Sequence, residues 1–343
     1  MLRDRNDVEI VFARAHPTFL DKVLGDYRFD DVYEIKASGS QVPRVSADEI
    51  SNLRGLKKFD GDSVMVLNAQ PGNVGFLLPH QQTLESLSVT YSKSAVEQLE
   101  KFVHLKELSL QSPLDVSMLG CLEELTTLRC GYFSPQNVHR ASALEVLDLR
   151  NLNDKSSDVL EDLAEISELR ALHLNKIAGP LNLKNIASSH PGLEYLSVKD
   201  VVIQSFDQIA NLPYLKGLEL NQCQVDGQPT SLKSLGRLEN CYITDCDLKG
   251  WDWLAGCSGL SHLMLKFKHR SEVKLDVLES LPKLKILITR NFDVLDGTTP
   301  LTPALEIFRL EEGTIDDALL SEFKQLNPDM RVEVQPHRSP ADR

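Results

Sequence analysis

Several features that mark common functions are missing from this 343-residue chain. No run of residues approaches the roughly 20 apolar positions of a membrane helix. Basic residues are scarce, with 37 Lys and Arg against 50 Asp and Glu and a net charge of −13. A surface for nucleic acid or anionic lipid needs a basic footprint, so this balance argues against both and leaves a basic protein partner open. The six cysteines form no CxxC pair, which removes the usual spacing of a zinc site. None of the nine histidines lies in HExxH or an evident triad, and the glycines match neither phosphate-loop motif, so no catalytic, cofactor or metal site is expected. The opening MLRDRNDVEIVFARAHP is charged throughout and lacks the apolar core of a secretory signal. A soluble, cytoplasmic, monomeric protein with reduced thiols follows as the expectation.

What the chain does contain is a period. Between Leu193 and Leu220, apolar residues stand at Leu193, Leu196, Val198, Ile203, Phe206, Ile209 and Leu212, and the pattern restarts at Leu215, Leu218 and Leu220. Leu196 and Val198 lie two apart and so share one side of an extended segment, while Tyr195, Ser197 and Lys199 take the other. One such unit cannot bury its apolar side alone; successive units must stack in parallel around a shared core.

Units open at Leu84, Leu105, Leu125, Leu144, Leu169, Leu193, Leu215, Leu238, Leu260, Leu284 and Leu305, at steps of 19 to 25 residues. The pattern L-x-x-L-x-L at this period resembles the leucine-rich repeat family, in particular the roughly 22-residue units of the internalin and phosphatase-regulator type. The resemblance implies an α/β solenoid, or horseshoe, with a parallel sheet on its concave face and helices, 3₁₀ turns and plain turns on the convex side. It also implies a binding scaffold, with no partner specified. The ninth-position Asn of the family is mostly replaced, by Pro113, Phe133, Leu152, Ile177, Val201, Cys223, Cys246 and Phe292. Loop amides there must find other acceptors.

Residues 81–313 form the expected array, 314–343 a C-terminal cap with a frayed tail, and 1–80 an N-terminal cap or small capping domain. Within the last, Val8–Phe12 and Val64–Leu67 read as strands, Ser46-Ala47-Asp48-Glu49 as a capping box opening a helix, and Leu56–Phe59 as the start of a degenerate repeat. Ser94–Phe102 and Ser156–Ile166 have helical spacing. Asp316–Leu326 reads as a last helix and Met330–Val334 as a strand closing the core. Trp251, at the spacing of three seen in the type unit, reads as core.

The register lists the outward residues. The central column runs Ser88, Ser109, Arg129, Asp148, His173, Ser197, Glu219, Tyr242, Met264, Ile288 and Arg309. This column and the two that flank it, two residues before and two after on each strand, together carry six basic residues (Arg129, Arg150, Lys199, Lys266, Arg290, Arg309) and four acidic ones (Glu107, Asp148, Glu219, Glu311), so the concave face is near neutral. Toward its C-terminal half lie Tyr242, Met264, Ile286, Ile288 and Ile307, fringed by His262, Lys266, Arg290 and Arg309. Such an apolar patch rimmed by polar groups marks an interface, and these residues are the candidate partner-binding site. Tyr195 and His173 join them as outward contact residues, His173 sharing its face with Asp148 and Lys199. The partner class is protein. An adaptor or recruiting subunit is the expected role, with a specific inhibitor or immunity factor against a toxin or nuclease as the alternative, and an enzyme conceivable only through residues 1–80.

Overall fold

The computed structural model describes residues 9–14, 32–38, 44–53, 55–61, 65–67, 69, 73–89, 98–115, 120–134, 143–152, 163–164, 166–177, 179–227, 229, 231–295 and 304–335. The fold is an α/β leucine-rich repeat solenoid, divided into two compact units at Arg150/Asn151. In the N-terminal unit the strands are β1 (Glu9–Arg14), β2 (Val32–Ser38), β3 (Arg44–Ser46), β4 (Lys58–Asp60), β5 (Met65–Leu67), β6 (Ser86–Val89), β7 (Glu107–Asp115), β8 (Thr127–Ser134) and β9 (Val146–Leu152). The main sheet runs β1-β2-β4-β6-β7-β8-β9, with β3 and β5 forming a separate pair. Among the described residues of this unit only β1 is antiparallel, against β2. The degenerate repeat expected at Leu56–Phe59 supplies β4, which pairs in parallel with β2 and β6. The expected strands appear as β1 and β5, while Val8 and Val64 lie outside the described residues. The capping residue Ser46 opens the helix Ala47–Ser51. Its Oγ accepts from the Asp48 amide at 3.3 Å, two residues on rather than the three expected of a capping box.

The C-terminal unit holds β10 (Ala171–Ile177), β11 (Pro180–Asn182), β12 (Tyr195–Lys199), β13 (Val202–Gln204), β14 (Gly217–Asn221), β15 (Gln224–Val225), β16 (Asn240–Thr244), β17 (His262–Val273), β18 (Ile286–Val294), β19 (Ile307–Glu311) and β20 (Arg331–Gln335). Its sheet order is β10-β12-β14-β16-β17-β18-β19-β20, and β11-β13-β15 form a smaller parallel sheet. The leucine positions stack without slip: Leu196 faces Leu218, then Cys241, Leu263, Leu287 and Phe308. All six are buried. The segments that return between strands are mixed, as expected: an α-helix at Leu183–Ser189 and 3₁₀ helices at Phe206–Asn211, Asp252–Leu254 and Leu275–Ser280. The helix expected at Ser156–Ile166 falls largely outside the described residues, which are helical there only at Leu163, and of that expected at Ser94–Phe102 residues 98–102 are described, helical only at Gln98–Leu99. The final helix is Asp317–Leu326, capped by Asp316, whose carboxylate accepts from Ala318 and Leu319 amides. In β20 the closing role is only partial, because Met330 just before it is buried while Val334 is exposed.

The missing Asn column is replaced by backbone. Lys176, Asp200, Gln222, Asp245, Asn291 and Glu312 all have left-handed φ between 53° and 64°, and each directly precedes a ninth-position residue. Asp200, Gln222, Asp245 and Glu312 stand directly after their strands, where the left-handed turn takes the chain off the sheet and re-aims its amide. The Asp200, Gln222, Asp245 and Glu312 amides donate to the carbonyls of Asn221, Thr244, Lys266 and Gln335 one repeat further on. At these four strand ends the next repeat thus satisfies the turn of the one before it. The ninth positions Ile177, Val201, Cys223, Cys246 and Phe292 are then free to be apolar, and all are buried.

Residues that follow several of the opening leucines form a second ladder, of alternating charge. Lys57 and Lys106 flank Glu85 at 2.9 and 3.3 Å, Arg170 and Lys216 flank Glu194 at 3.6 and 2.6 Å, and Lys285 meets Glu306 at 3.6 Å. The hydrogen bond from Lys216 holds the Glu194 carboxyl below its usual range. Exposed pairs contribute little singly, but a shared carboxylate favours one register over a slipped one. Glu194→Lys, which sets a cation between Arg170 and Lys216, is expected to lower the melting temperature more than Glu194→Gln. The gap should shrink in ~1 M salt, where the screening length falls to about 3 Å; equal melting temperatures at low salt would remove the ladder's energetic role.

Candidate functional site

Nine of the residues expected at the site come together on the solvent face of the C-terminal unit. The strand register places Tyr242 beside Met264, Met264 beside Ile288 and Ile288 beside Arg309. A second row, two residues nearer the strand starts, runs His262, Ile286, Ile307 and Arg331. Their neighbours on the same strands, such as Leu263, Leu265, Leu287 and Phe308, point into the core at 1% exposure or less. Period-two alternation therefore forces Tyr242, Met264, Ile286, Ile288 and Ile307 outward. Tyr242 is 36% exposed and the other four are half-buried, sheltered by one another. The Tyr242 hydroxyl donates to Asn240 Oδ1 at 3.4 Å, and His262 Nδ1 lies 2.8 Å from Ser261 Oγ.

The cationic rim is already paired within the molecule. Lys266 Nζ reaches Glu311 at 2.8 Å across the intervening repeat, and Arg290 binds Asp245. Arg309 Nε meets Glu333 Oε2 at 2.6 Å, and Arg331 Nη2 meets the other oxygen at 2.5 Å. The Arg309 hydrogen bond holds the Glu333 carboxyl below its usual range and pushes the guanidinium up. Sequence reasoning missed Asp245 and Glu333. Glu333 is one further step along the central column, since Arg309 faces it in register, so extending that column into the last strand would have found it. Asp245 lies just past its strand, at a left-handed position that column counting does not reach.

Tyr195 and His173 stand apart from this cluster. Tyr195 on β12 is 44% exposed, and its ring lies over Gly217, where an added Cβ would come within 2.6 Å of the ring. Ser197 and Glu219 separate His173 from Tyr242 along the central column. Asp148, named with His173 in the sequence reading, belongs to the N-terminal unit, where Arg150 holds it at 2.8 Å.

The thiols follow burial. Five cysteines are buried and free, while Cys121 is exposed. Desolvation pushes Cys257 up to about 11 and raises Cys130 and Cys241 further. Cys246 Sγ accepts from the Cys223 amide at 3.4 Å. Among the described residues no group of three His, Cys, Asp or Glu is placed to hold a metal ion. The N-terminal unit carries a shallow polar depression of about 380 Å³, lined by Glu34, Lys58, Asp60, Ser86, Glu107 and Arg129 among others. The sequence reading assigned it no role.

No family model and no curated protein matches the chain. Solved structures do. An internalin, InlF, from Listeria monocytogenes superposes with a TM-score of 0.61 at 16% identity, covering 89% of this chain and 87% of its own. A leucine-rich repeat protein of Leptospira interrogans gives 0.57 at 18% identity, with 83% and 80% covered. A plant peptide hormone receptor, solved in complex with RGF2, gives 0.53 at 15% identity over 88% of this chain and 55% of the receptor. At such identities the likeness establishes the leucine-rich repeat fold.

Proposed function

We propose that the protein is a non-catalytic scaffold that recognises another protein through the solvent face of β16 to β19, acting as an adaptor or recruiting subunit. The observation that carries this reading is the apolar cluster of Tyr242, Met264, Ile286, Ile288 and Ile307, bounded by cations that already have partners. A rigid sheet holds these side chains in place before binding, so little ordering entropy opposes association. Because Lys266, Arg290 and Arg309 are paired internally, binding draws on burial of apolar surface and depends weakly on salt. An inhibitor of a basic toxin or nuclease would instead need a field of unpaired charge on this face, and its association would fall steeply with ionic strength. The plant peptide hormone receptor was solved in complex with RGF2, which supports recognition as a use of this fold. The reading extends to a soluble, cytoplasmic monomer without metal or cofactor.

The test is affinity capture from the source organism, comparing wild type with Tyr242→Glu/Met264→Glu/Ile288→Glu after circular dichroism shows the variant folded. A partner bound by wild type should be lost by the variant, with at least a 100-fold rise in Kd, because central anchors are each worth about 1–2 kcal/mol or more. Retention of the partner by the variant would move the site elsewhere. A slope of log Kd against log salt near zero supports the adaptor reading, and a steep one the inhibitor.

A further inference from the structure

Resting on the reading of this face as the binding site, we infer that its occupant is an amphipathic α-helix laid across the strands, its N-terminus over Glu219 and its C-terminus over Arg309 and Arg331. Two observations carry the inference: the spacing of the apolar residues and the charge at the ends of their rows.

Every strand under the patch is paired on both sides, β16 by β14 and β17, β17 by β18, and β18 by β19. No backbone edge is open there, so a partner cannot add a strand and must be read through side chains. The central row offers one apolar side chain per strand, Tyr242, Met264 and Ile288. Strands lie about 4.8 Å apart, so the three span roughly 10 Å. A helix that contacts them with residues i, i+4 and i+7 advances about 10.5 Å, at ~1.5 Å per residue. An extended peptide repeats on one side every ~6.8 Å and covers nearly 14 Å in the same two steps, so it falls out of step by the third contact. The second row, Ile286 and Ile307, is displaced by two residues along the strands, about 6.6 Å. Together the two rows have the width of a helical apolar stripe rather than a single seam.

The rows are polar end to end in one direction. The apolar stretch of the central row is preceded by Glu219, whose carboxylate accepts from Ser197 Oγ at 3.2 Å, and followed by Arg309 and then Glu333. The second row ends at Arg331. Glu333 is shared by both arginines, which leaves one positive charge in surplus there. A helix carries partial positive charge at its N-terminus and partial negative charge at its C-terminus. The favourable orientation therefore sets the N-terminus toward Glu219.

The test selects a library of random 16-residue displayed peptides on immobilised full-length protein, counter-selected on the folded triple-Glu variant. Expected is enrichment of peptides with apolar residues at i, i+3 or i+4 and i+7, whose binding is abolished by a central proline. A nitroxide on the N-terminus of the best peptide should broaden the amide resonances around Glu219 and spare those around Arg309. Patch-dependent enrichment of peptides alternating with period two would overturn the helix while leaving the face as a binding site. Broadening around Arg309 instead would overturn the orientation. Absence of any patch-dependent enrichment counts against the helix, and if affinity capture also shows the partner retained by the triple variant, the reading of the face fails with it.

Discussion

Replacing Trp251 by alanine is expected to lower the free energy of unfolding by about 3–5 kcal/mol, the range for truncating a large buried aromatic. Trp251 is 1% exposed. Its ring lies 5.6 Å from that of Phe292, which in turn lies 4.9 Å from Phe267. These rings come from three successive repeats, so the cavity left by alanine would open the interfaces that couple one unit to the next. The indole also donates Nε1–H to the Lys274 carbonyl at 2.8 Å. Trp251→Phe keeps much of the ring packing but orphans that carbonyl, and should cost less, about 1–3 kcal/mol. Urea unfolding followed by far-ultraviolet circular dichroism measures both. A Trp251→Ala loss below 1 kcal/mol would show that the site collapses around the gap and that the aromatic stack does not couple the repeats.

Trp251 was legible as core because a spacing of three from Leu248 and to Leu254 continues the repeat, whichever residue fills it. The outward columns were legible for a related reason: parallel strands without slip turn sequence alternation directly into faces, and the observed register matches the columns strand by strand within each unit. What alternation cannot convey is which charges find one another. Lys266 bridges over a whole repeat to Glu311, and Arg290 finds Asp245 at a turn. These pairings depend on side-chain reach and on a left-handed backbone that no glycine announces, since Lys, Gln and Glu occupy it as well as Asp and Asn. The N-terminal ladder was obscured because β4 and β6 pair at an offset of 28 residues, longer than any step of the array; β4 is held by Phe59 alone among its three residues, with Lys58 and Asp60 half-buried. His190 shows a different failure. Counting from the repeat starts, it occupies the position filled by Phe102, Leu122, Ile166, Leu212, Leu235, Cys257 and Leu281, yet its polarity hides it from a search for apolar period.

That substitution sets a strong expectation for His190→Leu. His190 is 3% exposed, and neither ring nitrogen has a hydrogen-bond partner among the described residues. Burial pushes its imidazole below the ordinary 6.5, and the nearby Ile166 carbonyl offsets this only in part. The sign follows from linkage. Between the folded value and 6.5 the unfolded chain binds the proton that the folded chain refuses, so stability is complete above 6.5 and is lost as pH falls toward the folded value. His80 adds the same trend in the N-terminal unit, since burial lowers it too despite its 2.8 Å contact with the Ile50 carbonyl. The ion-paired carboxylates Glu85, Glu194 and Glu333 are held below 4.5, so their own loss comes at more acid pH than the histidines'. Leucine at position 190 restores the apolar column and relieves an unsatisfied buried imidazole, which is expected to add about 1–3 kcal/mol at neutral pH. The gain should widen as pH drops from 6.5 to 5, because only the wild type still carries that proton penalty in the C-terminal unit. Urea midpoints at several pH values across this range measure it. A variant whose midpoint falls with pH as steeply as wild type would show that His190 is protonated in the folded protein and that the acid sensitivity lies elsewhere.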